Sequence, residues 1–162
     1  MLRRLVLAIA ACAVAVSVAK PEPAAAQAYS TAFMSIGAET SQPIGHHEFC
    51  ETHRSECVLR SPAAGPVMLT EALWAQLEQV NNLVNSAIAP ASDQELFGRT
   101  EVWVYPATRG DCEDYVLLKR RILIENGWPV SALLITVVRK PDGEGHAVLT
   151  VRTDRGDVIL DN

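Results

Sequence analysis

Residues 110–129 read GDCEDYVLLKRRILIENGWP, and the fold class turns on that stretch. Gly110 and Asp111 break the chain, and Asp111 is a fair N-cap. Tyr115, Leu118 and Ile122 then form one apolar line at helical spacing, with Cys112, Val116 and Leu123 beside it. Lys119, Arg120 and Arg121 fall mostly on the outer side. Acids at the start and bases toward the end suit the macrodipole. Gly127 stops the helix and Pro129 follows it. The reading is a helix from Asp111 to Asn126, with one cysteine among three acids in its first turn.

Working outward, the downstream residues read as strands. Ser131–Arg139 is apolar and β-rich, KPDGEG is a turn, HAVLTVRT (146–153) is a strand, DRG turns again, and DVILD (157–161) closes the series. Upstream, Thr70 caps a helix running to Ala89, with Leu73, Leu77, Val80, Val84 and Ile88 on one face and Trp74 alongside. Pro90 ends it. EVWVY (101–105) is extended, as a strand or as an approach to the next helix. Residues 29–66 lack a period and read as loops with one short strand near Cys57–Arg60. Helices followed by an antiparallel meander make an α+β domain.

The N-terminus has a targeting pattern. MLRR is a short basic start, LVLAIAACAVAVSVA an apolar run short for a membrane span, and AAAQA a small-residue stretch with cleavage sites after Ala26 or Ala28. The expectation is a signal peptide over 1–26 and one domain over 27–162, exported to the periplasm or secreted. Removing residues 1–27 takes away Arg3, Arg4, Lys20 and Glu22, and leaves 11 basic against 18 acidic residues, a net charge of −7. An acidic chain without a Lys/Arg run is a poor nucleic-acid binder. After cleavage no second apolar span remains, so stable membrane insertion is not expected.

Three cysteines remain: Cys50, Cys57 and Cys112. The simplest sorting pairs Cys50 with Cys57 and leaves Cys112 free. A zinc site built from His46, His47, Cys50, His53 and Cys57 is the second reading and unpaired thiols the third; the zinc spacing is not a standard one and the expected compartment is oxidising. No C-x-x-C occurs, which argues against a disulfide oxidoreductase.

A free thiol at a helix start meets the positive end of the dipole. Nucleophilic chemistry also needs a base and a group that orients it. His146 opens a strand after a Gly-rich turn, and Asp161 lies on the next strand. With an even-length hairpin loop the two project from the same face. A four-residue loop at Arg152–Arg155 sets them opposite each other. A two-residue loop at Arg155–Gly156 slides them four residues apart, about 13 Å at strand rise.

GDCEDYVLLKRRILIENGWP followed by GHAVLTVRTDRGDVILDN resembles the bacterial transglutaminase-like cysteine proteinases. FCETHRSEC, VNNLVNSAI and EVWVYPATRGDCEDY resemble further blocks of that family in the same order, so the resemblance covers most of the mature chain. It implies a papain-like core with the nucleophile-bearing helix packed on an antiparallel sheet. It implies Cys112 as nucleophile, His146 as general base and then acid, and Asp161 as the residue that orients the imidazole. The Cys112 backbone N–H and the Trp103 indole are candidate oxyanion donors, with a core role for Trp103 the blander reading.

The resemblance also implies a protein substrate. The best-known members are periplasmic proteases that cleave surface adhesins and so control biofilm release. Calcium is a further implication, with ligands at the acids flanking the nucleophile, Asp111 and Glu113, and Asp93 a weaker candidate. By themselves those acids read as residues suited to a helix N-terminus. A non-catalytic calcium-binding module of the same fold and an amine-transferring transglutaminase-like enzyme are the alternatives. Family chains continue with further strand, whereas this chain ends at Asn162. The expectation is either a shortened member of the family or a domain lacking its C-terminal end, with Asp161 poorly held there.

Overall fold

The structure, a computed structural model, describes residues 33–34, 37–58 and 65–162. The proposed signal segment and residues 59–60 of the expected early strand lie outside the described residues. The rest is the α+β arrangement expected, and its first difference lies at the start.

That difference is at 44–57, read as loop and strand. The structure forms two short helices there, α1 (Ile44–Thr52) and α2 (Arg54–Cys57). The apolar period was hidden because α1 buries only Gly45 and Phe49 among its nine residues. Helix α3 (Glu71–Ala87) follows the expected stripe. Thr70 caps it by accepting a bond from Leu73 N, and Leu77, Val80 and Val84 are buried. Trp74 points outward instead, 44% exposed.

After α3 comes β1 (Ala89–Pro90), then α4 (Asp93–Phe97), which a Ser92–Glu95 capping box opens. Residues 101–105 form no strand; the short β2 (Arg109–Gly110) pairs in parallel with β1. Helix α5 (Cys112–Glu125) closes with a Schellman motif: Trp128 N donates to Leu123 O, Gly127 N to Ile124 O, and Gly127 takes φ 88°.

A three-stranded antiparallel sheet completes the chain: β3 (Leu133–Arg139), β4 (Gly145–Thr153) and β5 (Gly156–Leu160), in that order. Helix α5 lies between α3 and the middle strand. Its Val116 and Leu123 meet Leu77 and Val80 on one side and Leu149 and Val151 on the other, in one cluster. Tyr115 packs with Val84 and Ile88, and Leu117 with Phe49 and Trp103. Because α5 is covered nearly all round, its cations cannot all sit outside. Lys119 is fully buried and Arg120 nearly so. Arg120 donates to Leu133 O and Glu56 O, which ties α5 to β3 and α2.

Burial lowers the Lys119 pKa from 10.5 to about 8, opposed in part by Asp161. The unfolded chain therefore keeps a proton that the folded chain releases between those values, and folding stability gains as pH rises through that window. Burying the ammonium costs stability below pH 8, so Lys119→Met is expected to be at least as stable as wild type at pH 7. Its advantage in urea midpoint should shrink between pH 8 and 10, and a constant difference across that range would count against the burial effect.

Candidate active site

The hairpin joining β4 to β5 decides where His146 and Asp161 meet. The loop is two residues, Asp154 and Arg155, with Thr153 opposite Gly156. This lies between the two registers considered from sequence. It extrapolates to place Asp161 across from Val148, two positions from His146 on the same face. A diagonal offset of about 7 Å is within reach of a histidine and a carboxylate. The His146 Nε2–Asp161 Oδ1 distance is 2.7 Å. The carboxylate accepts, so Nε2 carries a proton, and in a neutral imidazole Nδ1 would hold the lone pair.

Cys112 is the first residue of α5 and is not disulfide-bonded. It lines a cleft of about 330 Å³ together with His146, Trp103, Glu113, Gly145 and Ala147. The structure thus brings thiol and imidazole to one cleft, with the carboxylate behind the imidazole. The thiol donates to Glu113 Oε2 at 3.0 Å. Burial pushes its pKa up to about 12, Glu113 adds to the push, and the Ala147 backbone opposes it.

The acids around it have distinct partners. Asp111 sits at the N-cap position but makes no side-chain cap. Its Oδ2 accepts from Asp93 N at 3.2 Å instead. Asp93 Oδ2 accepts from Val102 N, and Asp114 Oδ1 accepts from Val104 N at 3.0 Å. Two buried carboxylates therefore pin the backbone on either side of Trp103. The indole Nε1 is buried without a hydrogen-bond partner. Gly45 of α1 lies against that ring; a Cβ there would stand 2.3 Å from Cδ1.

Asp93, Asp111 and Glu113 each offer a carboxylate oxygen within 4.8 Å of the others. Asp93 Oδ1 and Asp111 Oδ1 are buried and unpartnered. Burial, then Glu113, Asp93 and Asp114, push the Asp111 pKa up to about 8. Burial raises Asp114 to about 7, with the Val104 amide opposing. Orphaned hard oxygen donors with uncompensated charge fit a calcium ion.

Cys50 and Cys57 are bonded to each other, with Cα atoms 5.7 Å apart. This consumes the two thiolates the zinc reading needed. His53 stacks on Phe49 at 4.3 Å, and His47 pairs with Glu51.

From the sequence Asp114 is one more helix-start acid and Lys119 an outer base, and nothing marks Asn85. Asn85 Nδ2 and Lys119 Nζ both donate to the Asp161 carbonyl, at 2.9 and 3.0 Å. Asp161 is therefore tethered where a fraying end was expected. No periodicity could have shown this, because Asn85 and Lys119 lie on two different helices and Asp161 lies beyond the last strand.

A model of the family described as bacterial transglutaminase-like cysteine proteinase BTLCP matches residues 36–162. No curated protein sequence matches the chain. Among solved structures, calcium-bound LapG of Legionella pneumophila is 24% identical over 75% of this chain and 66% of that one, TM-score 0.48. EGTA-treated LapG is 25% identical over 75% and 64%, TM-score 0.48. The chain spans less than two thirds of the length of these structures.

Gly45→Ala is expected to displace the Trp103 ring and destabilise the fold by about 1–3 kcal/mol. Urea unfolding followed by tryptophan fluorescence reads this, and an unchanged midpoint would mean that α1 yields freely.

Proposed function

We propose that this chain, which belongs to the bacterial transglutaminase-like cysteine proteinases, is an exported cysteine endopeptidase acting through Cys112, His146 and Asp161. The observation that carries the reading is the 2.7 Å His146–Asp161 contact beside a cleft shared with the one free cysteine among the described residues.

In the proposed reaction His146 Nδ1 takes the Cys112 proton, and the thiolate forms a bond to the scissile carbonyl carbon. The carbonyl becomes an oxyanion, and the unpartnered Trp103 indole N–H and the Cys112 backbone N–H are its candidate donors. The imidazolium returns its proton to the leaving amine as the C–N bond breaks. Water, deprotonated by His146, then releases the acyl group and regenerates the thiol. Asp161 holds the ring in the Nε2–H tautomer and stabilises the imidazolium. A primary amine in place of water would give transamidation; hydrolysis is the chemistry of a cysteine proteinase family. The proposed substrate is a protein, with a surface adhesin as the specific candidate. The Cys50–Cys57 disulfide supports export to an oxidising compartment. Among the described residues no helix is long and apolar enough to cross a membrane.

Asp93, Asp111 and Glu113 are the residues proposed to hold calcium. Bound there, calcium supplies positive charge that offsets the carboxylates around the thiol. Glu113 is central to this proposal because it is also the acceptor for the thiol proton.

A thiol whose proton is held by Glu113 favours a second reading, a calcium-binding module without catalysis. Iodoacetamide labelling near neutral pH separates the two. Fast labelling of Cys112 that is lost in His146→Ala supports the enzyme; labelling no faster than free cysteine supports the module. Cys112→Ala should abolish cleavage of a protein substrate, and cleavage that persists would end the peptidase reading.

Calcium should raise the melting temperature of the wild-type chain by mass action. The shift should vanish in Asp93→Asn/Asp111→Asn, and an equal shift in that variant would place the ion elsewhere.

A further inference from the structure

We propose that Lys119 and Asn85 are positioning residues: together they hold Asp161, and through it the His146 ring, in register with Cys112. The inference rests on the catalytic reading of Cys112, His146 and Asp161.

Asp161 lies just beyond the sheet. The β4–β5 ladder ends at Leu149 opposite Leu160, so no strand pairing fixes the next residue. Its carbonyl is gripped instead from two helices, by Lys119 Nζ from α5 at 3.0 Å and by Asn85 Nδ2 from α3 at 2.9 Å. With the main chain so held, the Asp161 carboxylate turns to His146 and to the Asn162 amide.

The placement of Lys119 on α5 gives the grip its meaning. It follows Cys112 by seven residues, two helical turns, so both lie on nearly the same face about 10 Å apart along the axis. One rigid helix thus carries the thiol at its start and, two turns on, the ammonium that fixes the far end of the Asp161–His146 relay. The thiol-to-imidazole spacing then depends on helix geometry as well as on the β4 strand that carries His146. A buried ammonium is a costly way to satisfy one carbonyl, since an apolar side chain of similar volume often stabilises a core more. Lys119 keeps that cost at a fully buried position.

A merely structural lysine would alter melting and leave His146-dependent thiol chemistry alone. The test is the second-order rate of iodoacetamide labelling of Cys112 in the full chain, in calcium-containing buffer, with thermal melting alongside. Lys119→Met is expected to melt no lower than wild type yet to label about tenfold more slowly, the upper range of one hydrogen bond's net worth. Asn85→Ala, at an exposed position, should slow labelling in the same direction. Neither change should slow it further in an Asp161→Ala background, because the effect passes through that carboxylate. Wild-type rates in both variants, or equal slowing with and without the Asp161 side chain, would overturn the proposal. If Lys119→Met fails to fold, Asn85→Ala with and without Asp161→Ala decides alone. If wild-type labelling itself does not depend on His146, the catalytic reading fails first and this inference falls with it.

Discussion

Helix α5 is packed on both sides, by α3 and by the middle strand of the sheet, and that enclosure is the constraint the rest of the structure answers to. A helix exposed on one face could keep three consecutive cations in water. A helix enclosed like this one must find partners for two of them. Arg120 takes the carbonyls of Leu133 and Glu56, and Lys119 takes that of Asp161. Each bond ties a different part of the chain to the helix that carries Cys112. Burial, which makes these cations expensive, also makes them effective ties, since an unpaired charge in such a place is far costlier than a paired one.

The same logic governs the acids at the other end of α5. Asp93 and Asp114 are buried carboxylates whose bonds go to the Val102 and Val104 amides, and Trp103 is held between those two points. Asp111 turns away from the cap position toward Asp93. The macrodipole account of these residues is incomplete, because their side chains point at neighbouring loops more than along the helix axis. Asp93, Asp111 and Asp114 each keep one orphaned oxygen. Thiol and acids are therefore coupled: the same enclosure raises the pKa of Cys112, Asp111 and Asp114. The proposed calcium site is where that accumulated negative charge could be offset.

Legibility followed the range of the interactions. The α3 stripe and its Thr70 cap, the α5 limits with Gly127, and the three strands with their turns all depend on residues within a few positions of one another. Their patterns were visible for that reason. The α1 helix was not, because it buries few side chains and so lacks a period. His146 and Asp161 were assigned to one face by parity, which depends only on whether the loop length is even. Their spacing was not, because the turn sits at Asp154–Arg155, one residue off either loop considered.

The sequence alone determined the order of α3, α5 and the three strands after them, the family resemblance, and the residue types available for thiol chemistry, since these are written in local spacing. The tertiary structure decided which of them meet. It turned Lys119 and Arg120 inward, set Asp93 beside Asp111 and Glu113, and tethered Asp161 from two helices. Those outcomes depend on how α5 is enclosed by segments distant in the chain, and enclosure is a property of packing that no local period encodes.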